Sequence, residues 1–219
     1  MHTSHIETNV HQAVTDPGAH AKRNILVRLV TDWDFEERAM RYAMRMPTPL
    51  HTEDRSVLEQ VIFRYYASLP EVKRVLFVGC QWYTSHYGRR FFPQHDYWTI
   101  EPDEKWRKHG GRQHIVAPLE DLDTHFPPDY FDLILCNGVY GFGLDGLEQC
   151  ERAFAHCHSR LRDNGHLVLG WNNVPARTPL PLDSIESLKR FRKFTFPAFG
   201  SWRYRTQTPY AHTYDFYVK

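Results

Sequence analysis

The sequence has no apolar run of the length needed to cross a bilayer, so no membrane span is expected. It lacks charge of one sign: 27 Lys and Arg against 26 Asp and Glu leave a formal net charge of +1, too little field to collect a phosphate backbone. Nucleic acid is therefore not an expected partner. Cysteine is scarce, and Cys80, Cys136, Cys150 and Cys157 show no Cys-x-x-Cys spacing, which excludes a zinc ribbon or a disulfide framework. Histidine is plentiful, but His2, His5, His11 and His20 fall in an aperiodic stretch. His156 and His158, two apart on a helix, cannot share a metal from one face. No metal is expected. A P-loop is missing, and no Gly-x-Gly-x-x-Gly follows the first strand-like run, Arg74 to Val78, which disfavours a nicotinamide dehydrogenase. The polar start Met1-His2-Thr3-Ser4-His5 does not read as a signal peptide, so a cytoplasmic protein with a small-molecule partner is expected, its oligomeric state left open with a homodimer among the options.

What is present is a series of buried-strand signals separated by helix-sized intervals. Arg74-Val75-Leu76-Phe77-Val78 is an apolar, β-branched run that ends in Gly79, the mark of a parallel strand feeding a tight turn. Asp96-Tyr97-Trp98-Thr99-Ile100, Gln113-His114-Ile115-Val116-Ala117, Phe131-Asp132-Leu133-Ile134-Leu135-Cys136-Asn137 and His166 to Gly170 follow as further strands, and the alternating end, Ala211 to Lys219, reads as a last one. Between them, Leu147, Cys150, Phe154, Cys157 and Leu161 keep helical steps over Gly146–Arg162, and Asn164-Gly165 supplies a left-handed stop. A short helix is expected from Asp183 to Phe191, leading into the basic run Lys189 to Phe194, which reads as a solvated face.

Ahead of the strands, residues 1–22 read as a flexible tail. Residues 23–70 read as a helical cap, built from a helix over Asn24–Met46 and a second over Glu53–Leu69 bounded by Thr52 and Pro70. Tyr42, Tyr65 and Tyr66 on these helices are candidate substrate contacts. The remainder, 71–219, reads as one α/β domain.

In open α/β sheets ligands lie beyond the carboxyl ends of the strands. Gly79 ends the first strand, and Glu101 with Pro102 ends the second about 20 residues on, where a carboxylate can accept both hydroxyls of a ribose. At the end of the fourth strand, Asn137-Gly138-Val139-Tyr140-Gly141-Phe142-Gly143-Leu144-Asp145 alternates glycine with bulky side chains, a segment that lets backbone pass close to a ligand while Tyr140 and Phe142 project over it. Trp171, Asn172 and Asn173 close the fifth.

The order and spacing of these pieces, from Val72 to Lys219, resemble a class I S-adenosylmethionine (SAM)-dependent methyltransferase. The resemblance implies a mostly parallel, doubly wound sheet of seven strands, SAM as cofactor, and methyl transfer to a small-molecule acceptor. It implies a cofactor site made of Gly79, Cys80, Gln81, Trp82, Glu101, Pro102, Asn137 and Val139, with adenine held by Leu119 and Glu120. Pro118 stands where that family often has an aspartate, and Gln81 and Tyr83 stand where its first turn usually carries further glycines. Substrate contacts are expected from Tyr140, Phe142, Asp145, Trp171 and Asn172. Asn137, Tyr140 and His212 are the candidate catalytic residues, His212 as a base and Asn137 with Tyr140 to hold the methionine amine in the cyclase alternative given below. Aromatic side chains at this edge, among them Trp82, Tyr83 and Trp171, suit a sulfonium by cation–π attraction. The altered glycine turn leaves two alternatives within the same fold: a cyclase in which the methionine amine attacks its own γ-carbon, giving azetidine-2-carboxylate and methylthioadenosine, and a catalytically silent SAM-binding module.

Overall fold

The computed structural model of the chain describes Met40, Leu50 and residues 52–219. The tail expected over 1–22, the candidate contact Tyr42 and, apart from Met40, the helix expected over Asn24–Met46 lie outside the described residues. The chain divides into two units, Met1–Met46 and Pro47–Lys219, and the fold below is that of the second.

The apolar runs pair as strands β1 (Arg74–Val78), β2 (Asp96–Ile100), β3 (Gln113–Ile115), β4 (Phe131–Asn137) and β5 (Leu161–Asn172), all parallel, in the order β3-β2-β1-β4-β5. The last strand, β8 (His212–Val218), runs antiparallel beside β5, with Asn172 opposite His212. Beyond it, the place of a seventh strand is shared by two short ones, β6 (Arg192–Lys193) and β7 (Arg203–Arg205), which makes the sheet eight-stranded. The break between them holds Pro197, which has no N–H to give to a ladder.

Parallel strands buried on both faces need an apolar layer on each, and the period-2 alternation of side chains supplies it. On one face Leu76, Val78, Ile134, Cys136, Leu167 and Leu169 meet Cys150, Ala153, Phe154 and Cys157 of the helix Leu147–Arg160. On the other, Val75, Phe77, Leu133, Leu135 and Phe216 meet Leu58, Ile62, Phe63 and Tyr66. These four come from one continuous helical stretch, Glu53–Val57, a π-turn over Leu58–Ile62, and Phe63–Ser68. Phe63 stands edge-on to Phe77, Tyr87, Phe91 and Phe92, with ring centroids 4.9–6.3 Å apart. All four cysteines are buried.

Several local expectations are corrected. Tyr66 is fully buried and its hydroxyl lies 3.4 Å from His166 Nδ1, while Tyr65 packs on Phe196, so neither borders the site. The helix of Leu147–Arg160 ends before Leu161, which already pairs with Phe131; Asn164, at φ 60°, bends the strand and shifts its register instead of stopping the helix. The helix expected over Asp183–Phe191 is split into 3-10 turns, Leu182–Ser184 and Glu186–Arg190, by the extended Ile185.

Candidate functional site

The carboxyl ends of β1, β2 and β4, the segment after β3, and the start of β8 border one cavity of about 850 Å³. Gly79 makes the bend after β1 at φ +86°, and a Cβ there would sit 3.0 Å from the Val139 side chain, so the turn demands glycine on both counts. Glu101, at the end of β2, fastens this bend from the side. Its Oε2 accepts from the Cys80 N–H at 3.0 Å and its Oε1 from the Asp103 N–H at 3.1 Å. The Gly79 N–H meanwhile bonds the Ile100 carbonyl at 2.9 Å. Gly79 and Glu101 are thus adjacent on one rim, and a carboxylate with four acceptor lone pairs keeps capacity for a ligand's hydroxyls.

Where additional glycines were displaced, a threonine closes the turn. Thr84 Oγ1 accepts from the Gln81 N–H at 3.0 Å and donates to the Gln81 carbonyl at 2.9 Å. Trp82 stands edge-on to Tyr83 and is absent from the cavity lining, which Tyr83 and Thr84 join instead. Cys80 lines the cavity, but burial, then the neighbouring Glu101 charge, pushes its thiol up to about 12, so it is an inert wall and not a nucleophile.

At the far end three polar side chains meet. His212 Nδ1 lies 2.7 Å from Asn172 Oδ1 and its Nε2 3.1 Å from Asn137 Oδ1. Burial, with Asp54 opposing and Arg55 assisting, lowers the His212 pKa to about 4, so the ring is neutral at pH 7. A neutral imidazole has one donor and one acceptor nitrogen, so both amide oxygens cannot face it. The shorter contact marks Nδ1–H donating to Asn172, and Nε2 then accepts from the Asn137 amide nitrogen, the atom otherwise left buried without a partner. That orientation leaves the Asn137 oxygen at the buried amide position of the cavity wall. It also uses both ring nitrogens, so His212 orients Asn137 more directly than it serves as a base. The relay passes over Gly170, where a Cβ would lie 2.0 Å from Asn137 Oδ1 and 3.0 Å from His212 Nε2.

Of the expected site residues, Gly79, Cys80, Gln81, Glu101, Pro102, Leu119, Glu120, Asn137, Val139, Phe142, Asn172 and His212 border this cavity. Four others do not. Tyr140, expected to lie over the ligand, is fully buried and donates its hydroxyl to the Leu180 carbonyl, because the loop closes on a Tyr140–Leu144 bridge that sends both side chains into the core. Trp171 is buried with its Nε1–H on Asp215 at 3.1 Å. Asp145 turns back to the Gly143 N–H at 3.3 Å, and Trp82 lies behind Tyr83 as described. The cavity also takes in residues not anticipated as site residues, among them Asp54, Arg55, Trp106 and the loop Thr208-Pro209-Tyr210. The last had a signal: an antiparallel final strand must begin at the carboxyl edge, so the loop before it borders the site. Nothing local marks Arg55.

By sequence the chain matches no family profile and no curated protein. Its backbone does match solved structures. A TehB-like SAM-dependent methyltransferase from Corynebacterium glutamicum aligns with TM-score 0.52 and 18% identity over 84% of this chain and 99% of that one. N-methyltransferase NodS from Bradyrhizobium japonicum, in complex with S-adenosylhomocysteine, aligns with TM-score 0.52 and 14% identity over 85% and 98% of the two chains. The 1,6-didemethyltoxoflavin-N1-methyltransferase of Burkholderia thailandensis, with 1,6-didemethyltoxoflavin and S-adenosylhomocysteine bound, aligns with TM-score 0.50 and 15% identity over 96% and 93%. The fold is that of the class I SAM-dependent methyltransferases. The resemblance read from the strand order over Val72 to Lys219 therefore holds for the fold.

Proposed function

We propose that the chain is a SAM-dependent methyltransferase acting on a small-molecule acceptor. The observation that carries this reading is the position of Glu101, fastened to the Cys80 N–H at 3.0 Å on the rim of a cavity that continues to the Asn137–His212–Asn172 relay. SAM fits the lining by charge as well: Asp54, Glu101, Asp103 and Glu120 border the cavity with Arg55 as the cation among its described residues, an excess of negative charge suited to a ligand of net positive charge.

Glu101 holds the ribose hydroxyls, and Leu119 and Glu120 flank the adenine together with Val139. When bound, SAM supplies an electrophilic methyl on a sulfonium that departs as a neutral thioether. The chain's own work is alignment and exclusion of water. Asn137, its amide held by His212, borders the cavity at this end, and Phe142 and Tyr83 supply apolar walls. The cavity volume of about 850 Å³ and the balanced net charge support a small acceptor over a nucleic acid. Four buried thiols suit a cytoplasmic setting, and among the described residues no helix is long and apolar enough to cross a membrane.

A second reading rests on the same Asn137 side chain at the cavity wall. Placed against the methionine part of SAM, it orients the α-amine for attack on the γ-carbon; the N–C bond forms, the C–S bond breaks, one proton leaves, and azetidine-2-carboxylate and methylthioadenosine result. Incubating the pure protein with SAM alone, then with candidate amines and phenols, separates the two. Methyl transfer gives S-adenosylhomocysteine only when an acceptor is present. Methylthioadenosine formed from SAM alone overturns it in favour of cyclisation, and binding without either product marks a silent module.

A further inference from the structure

The cavity holds a charged pair to which no role has yet been given. Arg55 borders it with its side chain 11% exposed, its guanidinium 4.6 Å above the Tyr83 ring and its Nη1 3.2 Å from the Tyr87 hydroxyl, to which it donates. Asp54 stands next to it, 20% exposed, at 3.8 Å from Arg55 Nε, beyond hydrogen-bond reach. Both are fixed from behind: Tyr214 donates to the Asp54 carbonyl at 2.8 Å, and the preceding Glu53 accepts from the Gln207 N–H at 2.8 Å. On the turn after β1 the Cys80 and Gln81 N–H groups are already bound to Glu101 and Thr84.

A cation and an anion side by side, preorganised and facing one cavity, complement a zwitterion. Resting on the cofactor reading above, the geometry points to Asp54 and Arg55 as the clamp for the α-amino-acid end of SAM, Arg55 taking the carboxylate through its planar fork and Asp54 the ammonium. The Tyr83 face holds the guanidinium plane in place, and so one of the displaced glycines of the turn acquires a purpose: Tyr83 stands where it would be, and carries the arginine. The clamp fixes the amino-acid end while Glu101 fixes the ribose, leaving the sulfonium between them.

Titration calorimetry on the full chain with two probes tests this, S-adenosylhomocysteine and methylthioadenosine, which lacks the amino-acid end. The wild type binds S-adenosylhomocysteine the more tightly. Arg55→Gln lowers that affinity about tenfold or more, as loss of a charge-assisted bidentate contact does, and leaves methylthioadenosine within about twofold. Arg55→Lys, which keeps the charge without the fork, falls between. Asp54→Asn weakens S-adenosylhomocysteine alone. Unchanged S-adenosylhomocysteine binding in Arg55→Gln, or an equal loss for both probes, overturns the clamp while the cofactor reading stands. Failure of the wild type to bind S-adenosylhomocysteine at all overturns the cofactor reading and the clamp with it.

Discussion

At the scale of single residues the site depends on side chains that satisfy backbone and still face a ligand. Glu101 is the clearest case, since its two oxygens take the N–H groups of Cys80 and Asp103 and so tie the ends of β1 and β2 together. Glu101→Ala removes both ties and the ribose acceptor. We expect it to weaken S-adenosylhomocysteine binding by about 1–3 kcal/mol in calorimetry, the cost of a lost charge-assisted hydrogen bond. Unchanged affinity removes Glu101 from the site. Gly79 and Glu101 were readable because each sits at the end of an apolar strand, where chain order alone fixes the position. Arg55 was not. Its role depends on which face of a helix meets the Tyr83 turn, and that is decided by packing of Phe63 and Leu58 in a core the local pattern does not specify.

At the scale of elements, the strands were legible where burial on both faces makes a run continuously apolar, as in β1 and β4, whose pairing from Val75 with Leu133 to Val78 with Cys136 is unbroken. The exposed β6 and the partly exposed β7 were not, because their basic residues look the same whether they pair or not; pairing with β8 is what makes them strands. Tyr140 was misplaced for a related reason. Alternation of glycine with aromatic residues shows that a loop bends, and the direction of each ring follows from the bridge to Leu144. The meeting of β4, β5 and β8 also sets a sharp test. Gly170 lies opposite Asn137 on one side and Tyr214 on the other, under the Asn137–His212 contact. Gly170→Ala puts a methyl group into that contact and must push Asn137 or His212 aside. The expected result is a loss of turnover of about tenfold or more, with a stability cost of about 1–3 kcal/mol from overpacking. Turnover equal to wild type, measured alongside thermal melting, shows that the relay plays no part in the reaction.

At the scale of the whole molecule, the same burial that shapes the site sets how the fold responds to acid. His86, His166 and His212 sit in different places, against Tyr87, against Phe194 and beside Asn137, and burial lowers each to about 4. For His86 and His166 nearby arginines add to the effect, Arg90 and Arg89 for the first and Arg162 for the second. The unfolded chain holds these rings near 6.5, so between pH 6.5 and 4 it binds protons that the folded chain refuses. Stability is therefore highest above about pH 6.5 and falls as pH drops toward 4, by an upper limit on the order of 3 kcal/mol for each ring. Since a domain of this kind is held by only about 5–15 kcal/mol, the three together can exhaust a large share of it. Urea midpoints taken at pH 7.5, 6 and 5 should decline in that order, and His166→Gln should flatten the decline by removing one of the three contributions. A midpoint that holds constant from pH 7.5 to 5 means that these histidines titrate normally and are not held neutral by burial.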